Sequence, residues 1–557
     1  MECRTSSGER VRSPAASFVV RLPDAPRAVA TTASEDGELV LDGGQSTPSE
    51  GSGAPLTRYR WSARSMPGRA LGDGPRLRLT PKPPDGDHSF VLEVTDARGQ
   101  RDVAATRVRV EGGVLVGSAP TSPWTQGAVV YGVVPFLYGS PGLPAVTRAL
   151  PSLAKLGVSA LWLSPIALAP SDDYGYAVRD YFKVRPEYGS AADLRRLVAA
   201  AHDLGLRVVL DWVPNHTSNE HPYFVDWQRS AERSRYREYY RRDAQGTASH
   251  YFDWVHLPNL NFAHDEVYRF QLEVAKFWVK EFDVDGYRVD AAWGVRERAP
   301  EFFKNTEREL RRLSPTTLLI AEAPAADPYY VSHGFDATYD WSGGLGQWAW
   351  KGVFVAPRGI PERLHQAVAE SLLLPHPERI LRFLNNNDTG ARFITRHGEK
   401  LTRVATAALL TLPGLPCLFS LDEVGGEFDP YGPMRAVRRP ERPELEAFHE
   451  RWIRFRRTLP ALWGSDLEPL LVTDRVYAYA RSSGHNGAIV VLNFNAEATP
   501  VQLRLPAALQ QWPLRELTAP DPEAALPARG TLALTLEPFA ARLFVVSASE
   551  AAQPSPR

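Results

Sequence analysis

The sequence predicts a multidomain protein: a (β/α)8 TIM barrel preceded by an immunoglobulin-like β-sandwich and followed by an antiparallel β domain. Three observations carry that prediction. Short punctuated strands fill residues 16 to 111, strands alternate with amphipathic helices from Ala128, and strands without helices return from about Leu470. The 557 residues exceed one ordinary domain, so about two to four are expected.

In the first segment, Glu38-Leu-Val-Leu-Asp42, Arg58-Tyr-Arg-Trp61 and Ser89-Phe-Val-Leu-Glu-Val-Thr-Asp96 are bounded by Gly, Asp and Pro turns. Regular short strands of this kind predict a β-sandwich. Leu41-Asp-Gly-Gly-Gln-Ser46, Tyr59-Arg-Trp61 and Val94-Thr-Asp-Ala-Arg-Gly99 together resemble the polycystic-kidney-disease-type (PKD) immunoglobulin-like module. Residues 112 to 127, rich in Gly, Ser, Pro and Thr, are predicted to be a linker.

The barrel is predicted over 128 to 459. Strands are expected at Ala128 to Pro135, Ala160 to Ser164, Arg207 to Val213, 286 to 291, 317 to 322, Ala337 to Trp341, Ile380 to Leu384 and Pro416 to Leu421. Helical patterns at Ala145 to Leu156, Ala191 to Leu204, Glu266 to Phe282 and 301 to 313 fall between them, as a parallel barrel requires. An aromatic-rich insertion, residues 214 to 262, interrupts the alternation after the third strand. Val404 to Leu421 is uncharged and of membrane-spanning length, but Pro413, Gly414 and Pro416 break it. A helix, a turn and a buried strand are predicted there, with no membrane span. Residues 460 to 548 are predicted to form the last β domain, and Ala551 to Arg557 are expected to be disordered.

Composition narrows the function. Hydrophobic content of 43% and charged content of 23% are those of a soluble globular protein. A net charge of -1 argues against a nucleic-acid partner. Two cysteines cannot form a disulfide framework, and Cys417 lies in an apolar run where a buried thiol is expected. Fourteen Trp and twenty Tyr suit sugar stacking as well as core packing. No signal peptide is visible in Met1 to Ala15.

The chemistry lies in three acids at the ends of apolar runs: Gly286-Tyr-Arg-Val-Asp290, Leu318-Leu-Ile-Ala-Glu322 and Arg382-Phe-Leu-Asn-Asn-Asn-Asp388. A parallel barrel gathers its strand ends in one mouth, and glycosidic cleavage uses two carboxyls in different ionisation states. Arg288 and Asp290, two apart in a strand, share a face, and the guanidinium is expected to lower the acid's pKa. Neighbouring carboxyls are expected to raise Glu322. Each acid also has a plain structural reading: Arg288–Asp290 as a rim ion pair, Glu322 as a loop glutamate, Asp388 as a turn residue. Asp211-Trp-Val-Pro-Asn-His216 closes the third strand, with Asp211 placed to orient polar groups and His216 either structural or a hydrogen-bonding partner of sugar hydroxyls. Tyr174-Gly-Tyr176 is either loop packing or the presentation of the Tyr176 ring.

Taken in this order, the segments from about Ala128 to Val546 closely resemble the α-amylase family of retaining glycoside hydrolases and transglycosylases, glycoside hydrolase family 13. The resemblance implies Asp290 as nucleophile, Glu322 as general acid/base and Asp388 as the third acid gripping substrate hydroxyls. It also implies Arg288, His216 and Tyr176 around the sugar at the cleavage point, with Asp211 as a supporting acid. The insertion corresponds to the family's B domain, Leu257-Pro-Asn-Leu-Asn261 to its fifth motif, and Gly414-Leu-Pro416 with Leu421-Asp-Glu423 to its eighth-strand motif.

Departures are also visible. Asn387 replaces the His that usually precedes the third acid, and Ala292-Trp293-Gly294 replaces a Lys-His pair common after the nucleophile. Asn259 stands where several members supply a calcium-binding aspartate, and Asn215 matches a family calcium position. An Asp- and Gly-rich calcium loop is missing around Phe136 to Gly142. Hard cations prefer several oxygens including carboxylates, so no metal ligand is assigned and no cofactor is required; the resemblance leaves room for calcium, but these residues do not support it. The expected substrate is an α-1,4-linked glucan or maltooligosaccharide, with Trp293 and Asn387 shaping its site. The alternatives are an α-glucan transglycosylase, a maltooligosaccharide- or cyclodextrin-specific enzyme, and a non-catalytic sugar-binding accessory protein. Location is open, with the sandwich module favouring an extracytoplasmic one.

Overall fold

The computed structural model describes residues 2–4, 10–12, 26–35, 38–49, 52–63, 70–80, 86–111, 114–117, 125–341, 348–374, 376–484, 486–510, 513–519, 525–526 and 530–547. The chain divides into two compact units, one of Met1–Thr121 with Arg312–Pro315 and one holding the remainder.

In the first unit, Val114–Gly117, Arg101–Glu111, Gly86–Asp96, Leu56–Ala63 and Ala70–Asp73 form one antiparallel sheet in that spatial order. Thr31–Glu35, Glu38–Asp42 and Arg76–Arg78 form a second. Leu39 and Leu41 of one sheet and Trp61, Phe90, Leu92 and Val94 of the other meet in a single buried cluster. Alternation puts these apolar side chains on one face of each strand. The turn chemistry is local: Asp96 Oδ1 accepts from the amides of Arg98 and Gln100 at 2.9 and 2.8 Å, and Asp42 Oδ1 from Gly44 N at 2.7 Å. One expectation needs correction. Part of the segment read as linker is a strand, since Val114–Gly117 pairs with Arg109–Glu111. Its Val-Leu-Val core extends a sheet edge, which Gly and Ser counting overlooked. Residues 118–124, and the tail 551–557 expected to be disordered, lie outside the described residues.

The second unit contains a closed parallel barrel of eight strands: β1 Val130–Val133, β2 Ala160–Leu163, β3 Arg207–Trp212, β4 Gly286–Val289, β5 Leu318–Pro324, β6 Ala337–Tyr339, β7 Ile380–Phe383 and β8 Leu415–Phe419. These strands are buried on both faces, as continuous apolar runs under helices should be. Val130, Trp162, Val209, Ile320, Tyr339, Phe383 and Cys417 belong to one core cluster that closes the barrel interior. The helices follow from caps and periodicity. Ser190 and Asp193 form a reciprocal capping box at the start of Ala191–Asp203, and Leu194, Leu197, Val198 and Ala201 make its buried stripe. Such a cap contributes about 1 kcal/mol.

After β3 the insertion folds as a helix, Pro222–Ser230, and a ribbon of His250–Tyr251 with Trp254–Pro258. Val404 to Leu421 resolves into the end of helix Phe393–Thr411, a turn and β8. No described helix is long and apolar enough to cross a membrane. The last β region has a six-stranded antiparallel-paired sheet and a two-stranded one, Thr499–Arg504 with Thr531–Leu536, sharing one core.

The entry to β4 depends on one glycine. Gly286 has φ +154, and a Cβ there would be driven into the backbone of Leu318 on β5. Gly286→Ala is therefore expected to cost about 2–4 kcal/mol, strain and overpacking combined, measured as a lower urea midpoint. An unchanged midpoint would show that β4 and β5 can separate there.

Candidate active site

Strand register creates the site. Asp211 on β3 pairs directly with Arg288 on β4, which pairs with Ile320 on β5, so side chains from three strands converge at the carboxyl end of the barrel. Arg288 is fully buried, and Nη1 donates to Asp211 Oδ1 at 2.8 Å and to Asp290 Oδ1 at 2.9 Å. Nη2 lies 3.0 Å from Glu322 Oε1, an ion contact without aligned hydrogen-bond geometry. Nε donates to the Tyr339 hydroxyl on β6 at 3.0 Å. The guanidinium also lies over the Trp162 ring, 5.3 Å from its centroid.

Asp290 sits just beyond β4, and Ala291 follows in the left-handed region at φ 44. That turn starts helix Ala292–Arg298 and aims the Ala291 amide at Glu322 Oε2, 2.7 Å away. Asp290 and Glu322 are 6% and 7% exposed, and both contact the Arg288 guanidinium.

Asp388 differs from the other two acids. It is exposed at the cleft mouth, where its charge still raises the pKa of both Asp290 and Glu322. The Tyr431 hydroxyl donates to Asp388 Oδ1 at 2.9 Å. Asn387 Nδ2 lies 3.3 Å from the same oxygen, 3.0 Å from the Tyr176 hydroxyl and 2.9 Å from that of Tyr431. Tyr176 in turn donates to Asp211 Oδ2 at 3.2 Å, so the groups around the third acid connect back to Arg288.

His216 has both ring nitrogens engaged within the protein. Nδ1 is 3.0 Å from Asn215 Nδ2 and Nε2 is 3.2 Å from the Tyr176 carbonyl, which assigns the proton to Nε2. Burial lowers its pKa to about 3, so the ring is neutral, and it stacks on Tyr251 at 4.9 Å. Trp293 approaches Tyr251 and Phe252, each at 5.9 Å, and its buried indole N–H has no protein partner among the described residues.

Sequence reasoning missed Tyr431, Tyr251, Tyr339 and Trp162. Tyr339 and Trp162 could have been found as barrel-interior aromatics on their strands. Tyr431, 44% exposed, carries no local signal because its partners lie in another loop.

Electrostatics correct one expectation. Burial, opposed by Arg288, pushes Asp290 up to about 7 rather than down. Burial likewise raises Asp211 to about 6 and Glu322 well above the usual carboxylate range, with Asp290 and Asp388 adding to Glu322. One guanidinium cannot offset the desolvation of three carboxyls. The set therefore titrates as a unit.

Raised folded-state values have a definite consequence for stability. Below about pH 3, these acids are protonated in both folded and unfolded chains and contribute no difference. Above that, the unfolded chain ionises first, so stability falls as pH rises toward each folded value. Glu322→Gln and Asp290→Asn are each expected to raise the melting temperature at pH 8, by about 1 °C per kcal/mol relieved in a chain of this length, with most of the gain gone near pH 4. Equal gains at both pH values would contradict this origin.

The comparisons with known proteins agree with this geometry. The family described as alpha amylase, catalytic domain, matches residues 138–327. The alpha-amylase MalA of Haloarcula japonica is 31% identical over 402 residues, 68% of this chain and 57% of that protein. The chain thus spans little more than half the length of that relative. A cyclomaltodextrinase of Geobacillus thermopakistaniensis is 28% identical over 424 residues, 72% of this chain and 70% of its own. Among solved structures, a cyclomaltodextrinase shares the fold at TM-score 0.67 and 22% identity, covering 89% of this chain and 94% of that one. The alpha-amylase of Geobacillus thermoleovorans, complexed with acarbose, does so at TM-score 0.63 and 23% identity, covering 76% and 99%. The barrel, the acids at its carboxyl end and the matched segment lead to one statement of kinship: residues 138–327 match the catalytic domain of the alpha-amylase family.

Proposed function

We propose that the protein is a retaining glycoside hydrolase that cleaves α-1,4-glucosidic bonds in α-glucans or maltooligosaccharides. The observation that carries this reading is the sharing of Arg288 by Asp290 and Glu322, which keeps two buried carboxyls close together on one guanidinium. Retaining enzymes hold their two carboxyls about 5–5.5 Å apart, with no room for a water between nucleophile and sugar.

Asp290, the more acidic of the pair, is the nucleophile. Glu322 protonates the glycosidic oxygen as the bond to the anomeric carbon breaks, and Asp290 forms a covalent bond to that carbon from the opposite face. The Glu322 carboxylate then takes a proton from water, whose oxygen displaces Asp290 and restores the α configuration. As Glu322 gives up its proton, Asp290 gives up its charge to the new bond, so the negative charge facing Arg288 moves from one partner to the other without growing. Asp388, oriented by Tyr431 and Asn387, grips sugar hydroxyls from the cleft mouth. Trp293 offers a ring face beside the rim aromatics, and Tyr176, backed by the buried Asp211 and His216, shapes the cleft.

A second reading is favoured by the exposed aromatic rim, where Phe252 and Trp254 pack 5.8 Å apart beside Trp293. Such a platform suits a sugar acceptor, hence transglycosylation, or a cyclic maltodextrin, the substrate named by several relatives. The amino-terminal unit, residues 16–111, is read as a PKD-type immunoglobulin-like spacer, with the barrel over 128–459 and the last β domain over 460–548.

Asp290→Asn is expected to lower turnover by at least about 10³-fold while the protein stays folded. Magnetic resonance of the first product should show the α anomer. Wild-type rates in that variant, or a β anomer, would remove the mechanism. A panel of starch, pullulan, cyclodextrins and maltooligosaccharides separates the two readings, since products longer than the substrate appear only with transglycosylation.

A further inference from the structure

Beside the acids, three loops meet around one arginine. Arg298 ends the short helix that begins after Asp290, and its guanidinium gathers four neutral oxygens. Nε donates to the Gly294 carbonyl at 2.7 Å, Nη1 to the carbonyls of Asn215 at 3.2 Å and Leu260 at 2.5 Å, and Nη2 to Asn215 Oδ1. All four acceptors are amide oxygens. They come from the loop after β3, the end of the insertion and the nucleophile's own helix.

The cage is tightly built. A Cβ on Gly294 would strike both Asn215 Oδ1 and Arg298 Nη2, so only glycine permits the approach. Asn215 Nδ2 passes the connection on to His216 Nδ1 at 3.0 Å and to Asn259 Oδ1 at 3.2 Å. His216 reaches Tyr176, and the Gly294 side leads back through Ala291 to Glu322.

Asn215 and Asn259 stand at positions where members of the resembled family bind calcium, and the residues present at this junction do not fit that ion. Asn215 already gives its amide oxygen and carbonyl to a cation, and the Asn259 amide oxygen is turned to Asn215. Among the described residues, no group of three or more His, Cys, Asp or Glu side chains could hold a metal ion. A divalent ion would also meet the repulsion of the guanidinium.

We propose that Arg298 is a positioning residue whose guanidinium serves as the built-in cation of this junction, holding the His216 wall and the Asp290 helix in register. A planar fork with five donors can satisfy all four oxygens at once, whereas an ammonium has only three donors. Displacements of about 1 Å near a reacting centre can cost about 100-fold in rate, so Arg298→Ala is expected to lower kcat by about that factor, with a smaller change in KM.

The test is chemical rescue of purified full-length Arg298→Ala, with melting temperature read beside turnover of maltoheptaose. Millimolar guanidinium ion should restore much of kcat and raise the melting temperature of the variant but not of the wild type. Urea, the neutral isostere, should do neither, and Arg298→Lys should recover little. Wild-type protein should keep its melting temperature in a metal chelator. Wild-type kcat in Arg298→Ala, or no response to guanidinium in either measurement, overturns the proposal. So does a wild-type melting temperature that falls on chelation and returns with calcium. If Arg298→Ala does not fold, the chelation result on the wild type decides. A wrong substrate class would silence only the turnover readings, leaving the melting data to judge this inference separately.

Discussion

One positive charge facing three buried carboxyls is the constraint on which the site depends. Arg288 is held from five barrel strands: Trp162 on β2, Asp211 on β3, its own β4, Glu322 on β5 and Tyr339 on β6. It cannot rotate away without abandoning several partners, so the field it creates is fixed before any ligand arrives. Were there two arginines, all three acids could ionise together. Were there none, all would stay protonated at neutral pH. With a single guanidinium the acids must share, and burial raises Asp211, Asp290 and Glu322 alike, with neighbouring carboxylates adding to each. That the three hold on to protons is thus a consequence of charge counting in a dry place.

This arrangement opposes stability, because each raised pKa records the cost of burying an ionised group. The rest of the second unit is built to withstand it. Its fully buried side chains include several arginines that act as collectors of backbone carbonyls. Arg456 donates to the carbonyls of Leu412, Leu462 and Gly414, and Arg481 to those of Thr411, Leu462, Gly464 and Asp466. These residues tie the turn before β8 to the last β region. Arg185 does the same for Pro170 and Asp173 in the loop after β2. Loop carbonyls buried without donors would each cost about 1–3 kcal/mol, and one planar fork satisfies several of them.

The sequence made the barrel legible because its signals are local. Apolar runs ending in acids, capping residues and helical stripes each fit within a dozen or so positions, and the strands fall within a few residues of their expected ends. Asp290, Glu322 and Arg288 were legible for the same reason, each lying at or near a strand end. Tyr431 was not, since its meaning comes from hydrogen bonds to Asn387 and Asp388 in a different loop. The direction of the Asp290 shift was misjudged because an ion pair can be read from a spacing of two, whereas burial is a property of the closed barrel. The strand Val114–Gly117 was hidden by flanking glycines and serines.

Asn215 shows where local reading ends most clearly. On the chain it is one amide beside His216, with little to offer a hard cation. In the fold it becomes the hub of a cage, because the insertion brings Leu260 to it and β4 delivers the helix carrying Gly294 and Arg298. Neither end of that contact implies the other, for the residues lie on separate loops and none is ionised except the arginine. A junction made of neutral oxygens needs a positive centre to pull its loops together, and a side chain supplies one that cannot dissociate. The cost is rigidity of sequence: Gly294 must stay without a side chain, and Arg298 must keep the reach of its fork.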